Sequence, residues 1–222
     1  MTDTNPTVFV VDDEEHARDS VCALVRTMGV AAEAHESGET FLDRYDGRPG
    51  CLVVDYRMAG MNGLELQDAL LRIGCHLPVI VVTAYARTPI TVQAIQNGAV
   101  TLLDKPYQDD DLWQAIRTGI TQDEQRRLKE QEITEVQARL AALSDKEHEV
   151  LDLIVSGKPN KTMASLLDVS LRTIENRRRR VFNKLSVDTV AELVTLVLRT
   201  PDSTSNGTQP NLAVDELSNH KT

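Results

Sequence analysis

The chain has 222 residues, enough for one or two domains, and a formal net charge of −10 from 34 acidic and 24 basic residues. Hydrophobic residues make up 41% of it, which supports a packed core and excludes global disorder. No apolar run approaches the ~18–20 residues of a membrane span, and the first residues do not resemble a signal peptide, so no membrane contact is expected.

The three cysteines, Cys22, Cys51 and Cys75, are an odd number and include no C-x-x-C pair. This argues against a disulfide scaffold and against a structural zinc site, and it predicts a reducing, cytoplasmic location.

Charge is distributed unevenly along the chain. Residues 1–122 carry a net charge of −9, whereas residues 143–199 carry +2. Within the second segment, residues 172–184 hold six basic side chains and one acid, Glu175. An acidic half joined to a half with a basic stripe predicts two domains with different tasks.

Residues 7–106 alternate between short apolar runs and helical patterns. The strands are predicted at Thr7–Val11, Val30–His35, Cys51–Asp55, Pro78–Thr83 and Val100–Asp104. The helices are predicted at Glu14–Met28, Ser37–Tyr45, Asn62–Ile73, Pro89–Asn97 and from Gln108 onward. Five strands alternating with five helices predict an α/β fold with a doubly wound, five-stranded parallel sheet.

The fifth helix is predicted to continue as a long linker helix through residues 122–142. The segment contains no proline and is rich in good helix formers. Four apolar residues have the a/d spacing of a coiled coil over about two heptads: Ile133, Val136, Leu140 and Leu143. Two interpretations stay open, a solvated linker helix and a dimerising seam.

Residues 143–199 are predicted to form an all-α domain of four helices, at Asp145–Val155, Lys161–Leu167, Leu171–Leu185 and Asp188–Leu198. The second and third helices are joined by only three residues, and Ser170 is a good N-cap for the third. A helix, a tight turn and a basic helix predict a helix-turn-helix. Residues 200–222 are rich in Ser, Thr, Asn and Pro, and they are predicted to be a disordered tail.

Polar side chains follow four of the predicted strands. Asp12 and Asp13 follow the first strand, Asp55 ends the third, Thr83 ends the fourth, and Lys105 follows the fifth. Because the carboxyl ends of parallel strands meet at one sheet edge, these side chains are expected to share a crevice. Clustered carboxylates suit Mg²⁺, and a carboxylate can attack phosphorus. Asp55 is the expected nucleophile, with Thr83 and Lys105 contacting the phosphoryl oxygens.

Four motifs resemble those of a bacterial response-regulator receiver domain: VVDD at 10–13, VVDYRMAGMNG at 53–63, VVTAYA at 81–86 and LDKPY at 103–107. The resemblance implies a flavodoxin-like, CheY-like receiver over residues 5–121, in which Asp55 accepts phosphate from a histidine kinase. It also implies that Mg²⁺ is held by Asp12, Asp13, Asp55 and the main-chain carbonyl of Arg57, and that the Lys105–Pro106 bond is cis.

The chain departs from the receiver pattern at two positions. Ala59 stands where proline is usual, which implies a looser loop after Asp55. Leu102 stands at the switch position, where Tyr or Phe commonly acts together with the threonine that corresponds to Thr83. A displacement of the Thr83–Arg87 loop is then expected to carry the signal.

The predicted helix 171–185 has one apolar and one polar face. The polar face is rich in the residues that read bases in the major groove, since Arg pairs with guanine and Asn with adenine. Residues 143–185 resemble a LuxR-type helix-turn-helix, as in response regulators of the NarL/FixJ type. The resemblance implies that Glu175, Asn176 and Arg179 face bases. It also implies that four residues meet phosphates: Lys161, Thr173, Arg178 and Lys184. Ser170 is a further predicted DNA-binding residue.

The sequence thus predicts a phosphorylation-dependent transcriptional regulator that binds double-stranded DNA and forms a homodimer when active. It is not expected to be an enzyme beyond its own phosphoryl transfer and autodephosphorylation. One alternative is a regulator that acts independently of phosphorylation, which Leu102 favours. The other is a Mg²⁺-dependent phosphatase, for which a second carboxylate is wanted two residues after Asp55, where Arg57 stands.

Overall fold

The computed structural model describes residues 5–84 and 88–199. Its contacts divide the chain into two compact units, with the division between Glu130 and Gln131. Each unit has its own hydrophobic core. The predicted disorder of residues 200–222 and part of the predicted Thr83–Arg87 loop lie outside the described residues.

The first unit is built on five parallel strands: β1 Thr7–Val11, β2 Ala31–His35, β3 Gly50–Asp55, β4 Val79–Thr83 and β5 Thr101–Asp104. Their order in the sheet is β2-β1-β3-β4-β5. Every residue of β1, β3 and β4 is buried, which explains why these strands stand out as continuous apolar runs. The strand order reverses between β1 and β3, so a crevice opens beside their carboxyl ends.

Five helices cover the two faces of this sheet: α1 Glu15–Thr27, α2 Gly38–Arg44, α3 Gly63–Arg72, α4 Thr88–Gln96 and α5 Asp109–Ala141. Alternate strand residues supply two separate clusters. Phe9 and Leu52 pack with side chains of α2, α3 and α4, whereas Val10 and Val53 pack with side chains of α1 and α5. The doubly wound α/β architecture predicted from the strand and helix pattern is therefore confirmed.

The division between the two units falls inside α5, within the predicted linker helix. Near Glu130, the first unit holds α5 through Asp123, which is 1% exposed and accepts a hydrogen bond from the Gly50 amide at 2.9 Å. Asp123 also pairs with Arg126 and, at 2.7 Å, with Arg127. The N-terminal part of the predicted linker is thus tied to the sheet through Asp123, while most of its other side chains up to Glu130 are exposed.

As far as residue 199, the second unit contains the last turns of α5 and four helices: α6 Asp145–Val155, α7 Asn160–Leu166, α8 Leu171–Leu185 and α9 Val190–Leu198. Ile174, Val181 and Leu185 are fully buried, as the apolar face of the predicted helix 171–185 requires. Asp168 lies between α7 and α8 with a positive φ of 49°, a conformation that Asp tolerates better than most residues, and it allows the short turn.

The a/d leucines do not form the dimer seam that was one of the two open interpretations of their spacing. Leu140 and Leu143 are 4% and 6% exposed and belong to the core of the second unit, and Val136 packs against that core. A side chain buried in its own domain is not available to a partner helix. The seam interpretation is therefore wrong for these leucines, whose spacing reflects packing of the end of α5 within the unit.

Predicted and observed element bounds differ mainly at caps. The predicted helix begins at Asn62, whereas in the structure Asn62 is the N-cap of α3 and forms a capping box with Glu65. The last helix begins two residues later than predicted, because Thr189 caps it by accepting a hydrogen bond from the Glu192 amide at 3.1 Å. In the part of the chain that the structure describes, no helix combines the length and the hydropathy needed to cross a bilayer.

Candidate functional site

The carboxyl edge of the sheet brings together an ammonium group and two buried carboxylates. Asp12 follows β1 and is 7% exposed, and Asp55 ends β3 and is 8% exposed. The Lys105 ammonium reaches both, with Nζ at 2.7 Å from Asp55 Oδ1 and 3.1 Å from Asp12 Oδ2. The two carboxylates therefore converge closely enough to share one cation.

Burial and charge act in opposite directions on these groups. Loss of water raises the pKa of Asp55, and the neighbouring Lys105 ammonium offsets part of that rise. Burial alone would lower the pKa of Lys105, but the carboxylates of Asp55 and Asp12 outweigh it and the pKa is raised. Lys105 is thus held in its charged form beside a carboxylate from which water is largely excluded.

Thr83 lies at the same sheet edge. It ends β4, is 1% exposed and pairs with Asp104 in β5. Its carbonyl accepts a hydrogen bond from the Lys105 amide at 2.7 Å, which fixes the start of the segment after β5. The Lys105–Pro106 peptide bond is cis, as the receiver resemblance implied.

The loop between β3 and α3 is tied to carboxylates through three of its main-chain amides. The Arg57 amide donates to Asp55 Oδ2 at 2.6 Å, and the Ala59 amide donates to Asp13 Oδ2 at 2.8 Å. The Met61 amide donates to Glu39 Oε1 at 3.1 Å. The pKa of the Glu39 carboxyl is lowered, first by the backbone amide of Glu39 itself and then by this bond from Met61. The loop is therefore held more firmly than the presence of Ala59 in place of proline had implied.

Backbone space around this loop is limited. A Cβ on Gly63 would lie 2.6 Å from the Asp55 carbonyl oxygen, so α3 begins directly against the end of β3 only because residue 63 has no side chain. Gly60 has a φ of +83°, which favours glycine. The GMNG segment thus allows the chain to turn beside Asp55.

The donor chemistry at this edge fits a hard cation. Asp12 and Asp55 converge, and carboxylate and carbonyl oxygens are the ligands that Mg²⁺ prefers. Among residues 5–84 and 88–199, no group of three or more His, Cys, Asp and Glu side chains is arranged to hold a metal ion. Asp13 is exposed and hydrogen-bonded to the Ala59 amide, so the third predicted carboxylate is engaged with the loop.

The predicted switch position carries no aromatic ring. Leu102 lies in β5, is partly buried, and packs with Ile90 of α4 against the cluster on that face of the sheet. The partner position Thr83 is buried at the end of the neighbouring strand β4. Both residues thus lie near the α4 face of the sheet. The side chain at position 102 is aliphatic, in place of the aromatic ring of Tyr or Phe.

In the second unit, the side chains predicted to face bases lie on the exposed face of α8. Glu175, Asn176 and Arg179 are all exposed, opposite the buried Ile174 and Val181. Lys161, predicted to meet phosphate, is exposed in α7. The structure therefore presents a polar, basic helix face of the size that enters a major groove.

Three of the predicted DNA-binding residues, Ser170, Thr173 and Arg178, have partners within the unit. Ser170 caps α8, since its Oγ accepts a hydrogen bond from the Thr173 amide at 3.2 Å, and the two hydroxyl groups are 2.8 Å apart. The Arg178 guanidinium lies over the Phe182 ring, 5.6 Å from its centroid. These contacts fix the first turn of α8 and one of its arginines before any DNA is present.

Lys184 is also engaged within the unit. Its Nζ lies 2.6 Å from Glu147 Oε2 and donates to the Ala142 carbonyl at 2.9 Å. Glu147, Glu39 and the Ala59 amide are functional groups that no pattern in the sequence singled out. Glu147 is recognisable afterwards as the N3 residue of a Ser-x-x-Glu capping box that starts at Ser144.

Comparison with known proteins accounts for both units. A family model described as "Response regulator receiver domain" matches residues 8–117, and one described as "Bacterial regulatory proteins, luxR family" matches residues 141–197. Transcriptional regulatory protein TdiR of Thauera aromatica is 37% identical over 206 residues, covering 92% of this chain and 91% of TdiR. Transcriptional regulatory protein FixJ of Azorhizobium caulinodans is 38% identical over 194 residues, covering 86% and 91%.

A solved structure shows the same two-part organisation. The response regulator StyR aligns with a TM-score of 0.81 at 35% identity, over 88% of this chain and 99% of StyR. Similarity of this extent covers the sheet-edge residues and the basic helix together. The chain therefore belongs to the two-component response regulators of the NarL/FixJ type, in which phosphorylation of a receiver controls DNA binding by a LuxR-type helix-turn-helix domain.

Proposed function

We propose that Asp55 is the phosphoacceptor of this regulator and that a sensor histidine kinase is the phosphodonor. The observation that supports this role is the convergence of Lys105 on Asp55 and Asp12, at 2.7 and 3.1 Å, in a largely buried crevice. A carboxylate oxygen of Asp55 would attack the phosphorus, the bond from phosphorus to the donor nitrogen would break, and an acyl phosphate would form. Lys105 would then pair with the phosphoryl oxygens, and Thr83 would donate its hydroxyl to them.

Asp12, Asp13, Asp55 and the Arg57 carbonyl are proposed as the Mg²⁺ ligands. The bound ion would neutralise charge on the transferred phosphoryl group. The chain's own contribution is to bring carboxylates together at low exposure and to keep Lys105 charged beside them. With the same groups in place, attack by water on the acyl phosphate would return Asp55 to its free form, which is the autodephosphorylation that we propose.

The proposed domain division is a receiver at 5–121, a linker helix at 122–142 and an output domain at 143–199. The proposed DNA surface has two parts. Glu175, Asn176 and Arg179 would read base edges, and a second group would contact the sugar–phosphate backbone: Lys161, Ser170, Thr173, Arg178 and Lys184. A homodimer would place two copies of α8 on half-sites about one helical turn apart.

The direct test compares the full-length protein with Asp55→Asn. Acetyl phosphate with Mg²⁺ should add one phosphoryl group to the wild type, seen by intact-protein mass spectrometry, and none to the variant. Uptake of the same group by Asp55→Asn would remove Asp55 from the proposed role.

The same proteins separate the two alternatives. Beryllofluoride should increase the affinity of the wild type for its operator and have no effect on Asp55→Asn, as measured by fluorescence anisotropy. Equal affinity of the wild type with and without beryllofluoride would instead support phosphorylation-independent binding. Sustained turnover of a phosphomonoester would support the phosphatase.

A further inference from the structure

The C-terminal end of α4 is attached to α3 by a buried carboxamide. Gln67 of α3 is 2% exposed, and its Nε2 donates hydrogen bonds to the Asn97 carbonyl at 3.1 Å and to the Ala94 carbonyl at 3.4 Å. Carbonyl groups at the end of a helix run out of partners within the helix, so a donor from outside can cap them. Gln67 therefore caps the end of α4 from a neighbouring helix.

A second side chain of α3 holds the same end of α4. The Asn97 side chain donates through Nδ2 to Asp68 Oδ1 at 2.6 Å. Ala94, which is 0% exposed, packs into the core one turn before this bond. Hydrogen bonds and packing thus coincide at the C-terminal end of α4.

The first turns of α4 contain no buried residue. Thr88 and Pro89 are exposed, and Ile90 is only partly buried against the core. All of Thr88–Gln96 is described, and within it only Ala94 is buried. Segments with few buried contacts move at a lower cost in free energy than well-buried ones. The two ends of α4 therefore differ in how readily they can be displaced.

Phosphorylation would act on α4 from the side of these first turns. β4 ends at Thr83, which we propose contacts the phosphoryl group, and α4 is the next helix in the chain. Ile90 packs with Leu102 of β5 against the same core cluster. A change at the sheet edge thus reaches α4 near Ile90, whereas the bonds from Gln67 are at the opposite end of the helix.

We propose that Gln67 is a positioning residue that keeps the C-terminal end of α4 on α3, so that activation displaces the first turns of the helix about this fixed end. The inference rests on the proposed function, because it assumes that phosphorylation of Asp55 displaces α4. The attachment itself exists before phosphorylation, so it can be tested separately.

Amide hydrogen exchange of the full-length wild type, measured by NMR with and without beryllofluoride, tests the fixed end. The Gly98 and Ala99 amides donate to the Ile95 and Ala94 carbonyls, both at 2.9 Å, and therefore report on the last turn. The Val92 amide reports on the first turns. Beryllofluoride should change exchange at Val92 about threefold or more and leave Gly98 and Ala99 within about twofold. Equal changes at all three amides would overturn the proposal, because α4 would then move as a whole.

Gln67→Leu tests the residue itself. Leucine has a similar volume and no donor, and it also removes Oε1, which has no hydrogen-bond partner among the described residues, so the fold should be retained. Without beryllofluoride, exchange at Gly98 and Ala99 should become about two- to tenfold faster, the range that corresponds to the net strength of one hydrogen bond. Gln96→Leu is the matched control, since Gln96 is exposed at the end of α4. Unchanged exchange in Gln67→Leu, or an equal change in Gln96→Leu, would overturn the role of Gln67.

A functional readout separates positioning from stability. Gln67→Leu should take up phosphate from acetyl phosphate like the wild type, but the gain in operator affinity on adding beryllofluoride should fall at least about threefold. A loss of stability alone would reduce the amount of folded protein and leave this gain unchanged. Retention of the full gain would overturn the inference. A wild type whose Arg57 amide resonance does not respond to beryllofluoride would overturn the proposed phosphoacceptor site as well.

Discussion

Glu147 and Lys184 form an ion pair that joins the first turn of α6 to the last turn of α8, with 2.6 Å between Glu147 Oε2 and Lys184 Nζ. The same carboxylate accepts hydrogen bonds from the amide and the hydroxyl of Ser144, at 2.9 and 3.0 Å. One buried carboxylate therefore caps α6 and fixes the far end of the helix that we propose enters the major groove.

The first prediction concerns acid stability. The Lys184 ammonium and the Ser144 amide lower the pKa of Glu147 from 4.5 to about 2. A carboxyl with a lowered pKa stabilises the folded state above its unfolded pKa, and that contribution is lost as the pH falls through its folded pKa. Glu147→Gln should therefore cost about 1–2 kcal/mol of unfolding free energy at pH 7, and the difference from wild type should shrink between pH 4.5 and pH 2.

Urea unfolding of the full-length proteins at several pH values measures this difference. Glu149→Gln is the matched control, since Glu149 is exposed on the same helix. A penalty for Glu147→Gln that stays constant down to pH 2 would show that the carboxylate charge is not the cause.

The second prediction separates two roles of Lys184. As a phosphate contact, its loss in Lys184→Ala should reduce the slope of log affinity against log salt by about 0.9. As the partner of Glu147, its loss should also lower the unfolding free energy, because a buried carboxylate is left unpaired. We expect both effects. The loss of stability should be full, because the ammonium is bonded to Glu147 and to the Ala142 carbonyl, and the salt slope should fall by less than for a phosphate contact whose charge is not shared with a carboxylate.

Anisotropy titrations at three salt concentrations, together with thermal unfolding, give both quantities for Lys184→Ala. Lys161→Ala provides the comparison, since Lys161 is exposed in α7 and should change the salt slope with little effect on unfolding. A full one-unit change in slope for Lys184→Ala without loss of stability would contradict the role of Lys184 as the partner of Glu147.

The third prediction concerns the anchor of α5 on the sheet. Asp123 is buried, bonds to the Gly50 amide at 2.9 Å, and pairs with Arg126 and Arg127. Asp123→Ala should destabilise the first unit by about 2–4 kcal/mol, since it leaves the Gly50 amide and two guanidinium groups without their shared acceptor. Differential scanning calorimetry of the full chain resolves this loss.

Glu130 supplies the control for Asp123. It pairs with Arg126 at 2.7 Å, but its side chain is 53% exposed, so Glu130→Ala should cost no more than about 0.5 kcal/mol. Equal losses for the two variants would mean that burial of Asp123 does not set the strength of the anchor.

The fourth prediction follows from the position of Leu140. This residue is 4% exposed within the core of the second unit, so Leu140→Ala should destabilise that unit by about 2–4 kcal/mol through the cavity it leaves. Leu128→Ala is the control, since Leu128 is 53% exposed and should change stability by less than about 0.5 kcal/mol. If Leu140 were instead part of a dimer seam, Leu140→Ala would lower the molecular mass measured by light scattering and would cost little stability.

The sheet was predictable because its strands are buried on both faces. A strand such as β3 is apolar at every position up to Asp55, and a polar residue at its end then marks the functional edge. The order β2-β1-β3-β4-β5 carries Asp12 and Asp55 to the same crevice, as the alternation of strands and helices predicted. Residue types and their spacing in the sequence were therefore enough to predict that these two carboxylates lie together.

What could not be predicted depends on contacts between distant segments. The a/d spacing of Leu140 and Leu143 is equally compatible with a seam and with a domain core, and only the positions of α6 and α8 distinguish the two. The bond between Ala59 and Asp13 uses a main-chain amide, which every residue except proline possesses, so no sequence pattern announces it. The partners of Lys184 depend likewise on the fold of the whole unit.

The last prediction tests the polar face of α8. Arg179 is exposed on the same face as Asn176, where an arginine can donate two hydrogen bonds to guanine. Arg179→Ala should weaken binding to the operator by about 1–3 kcal/mol and relax the base preference at one position. Arg139→Ala is the control: Arg139 lies in α5, pairs with Glu135 at 3.5 Å, and is not part of the proposed surface. Anisotropy titrations measure the affinity of each protein for the operator and for a scrambled duplex. An equal loss of affinity for both duplexes in Arg179→Ala would show that Arg179 contacts phosphate and does not read bases.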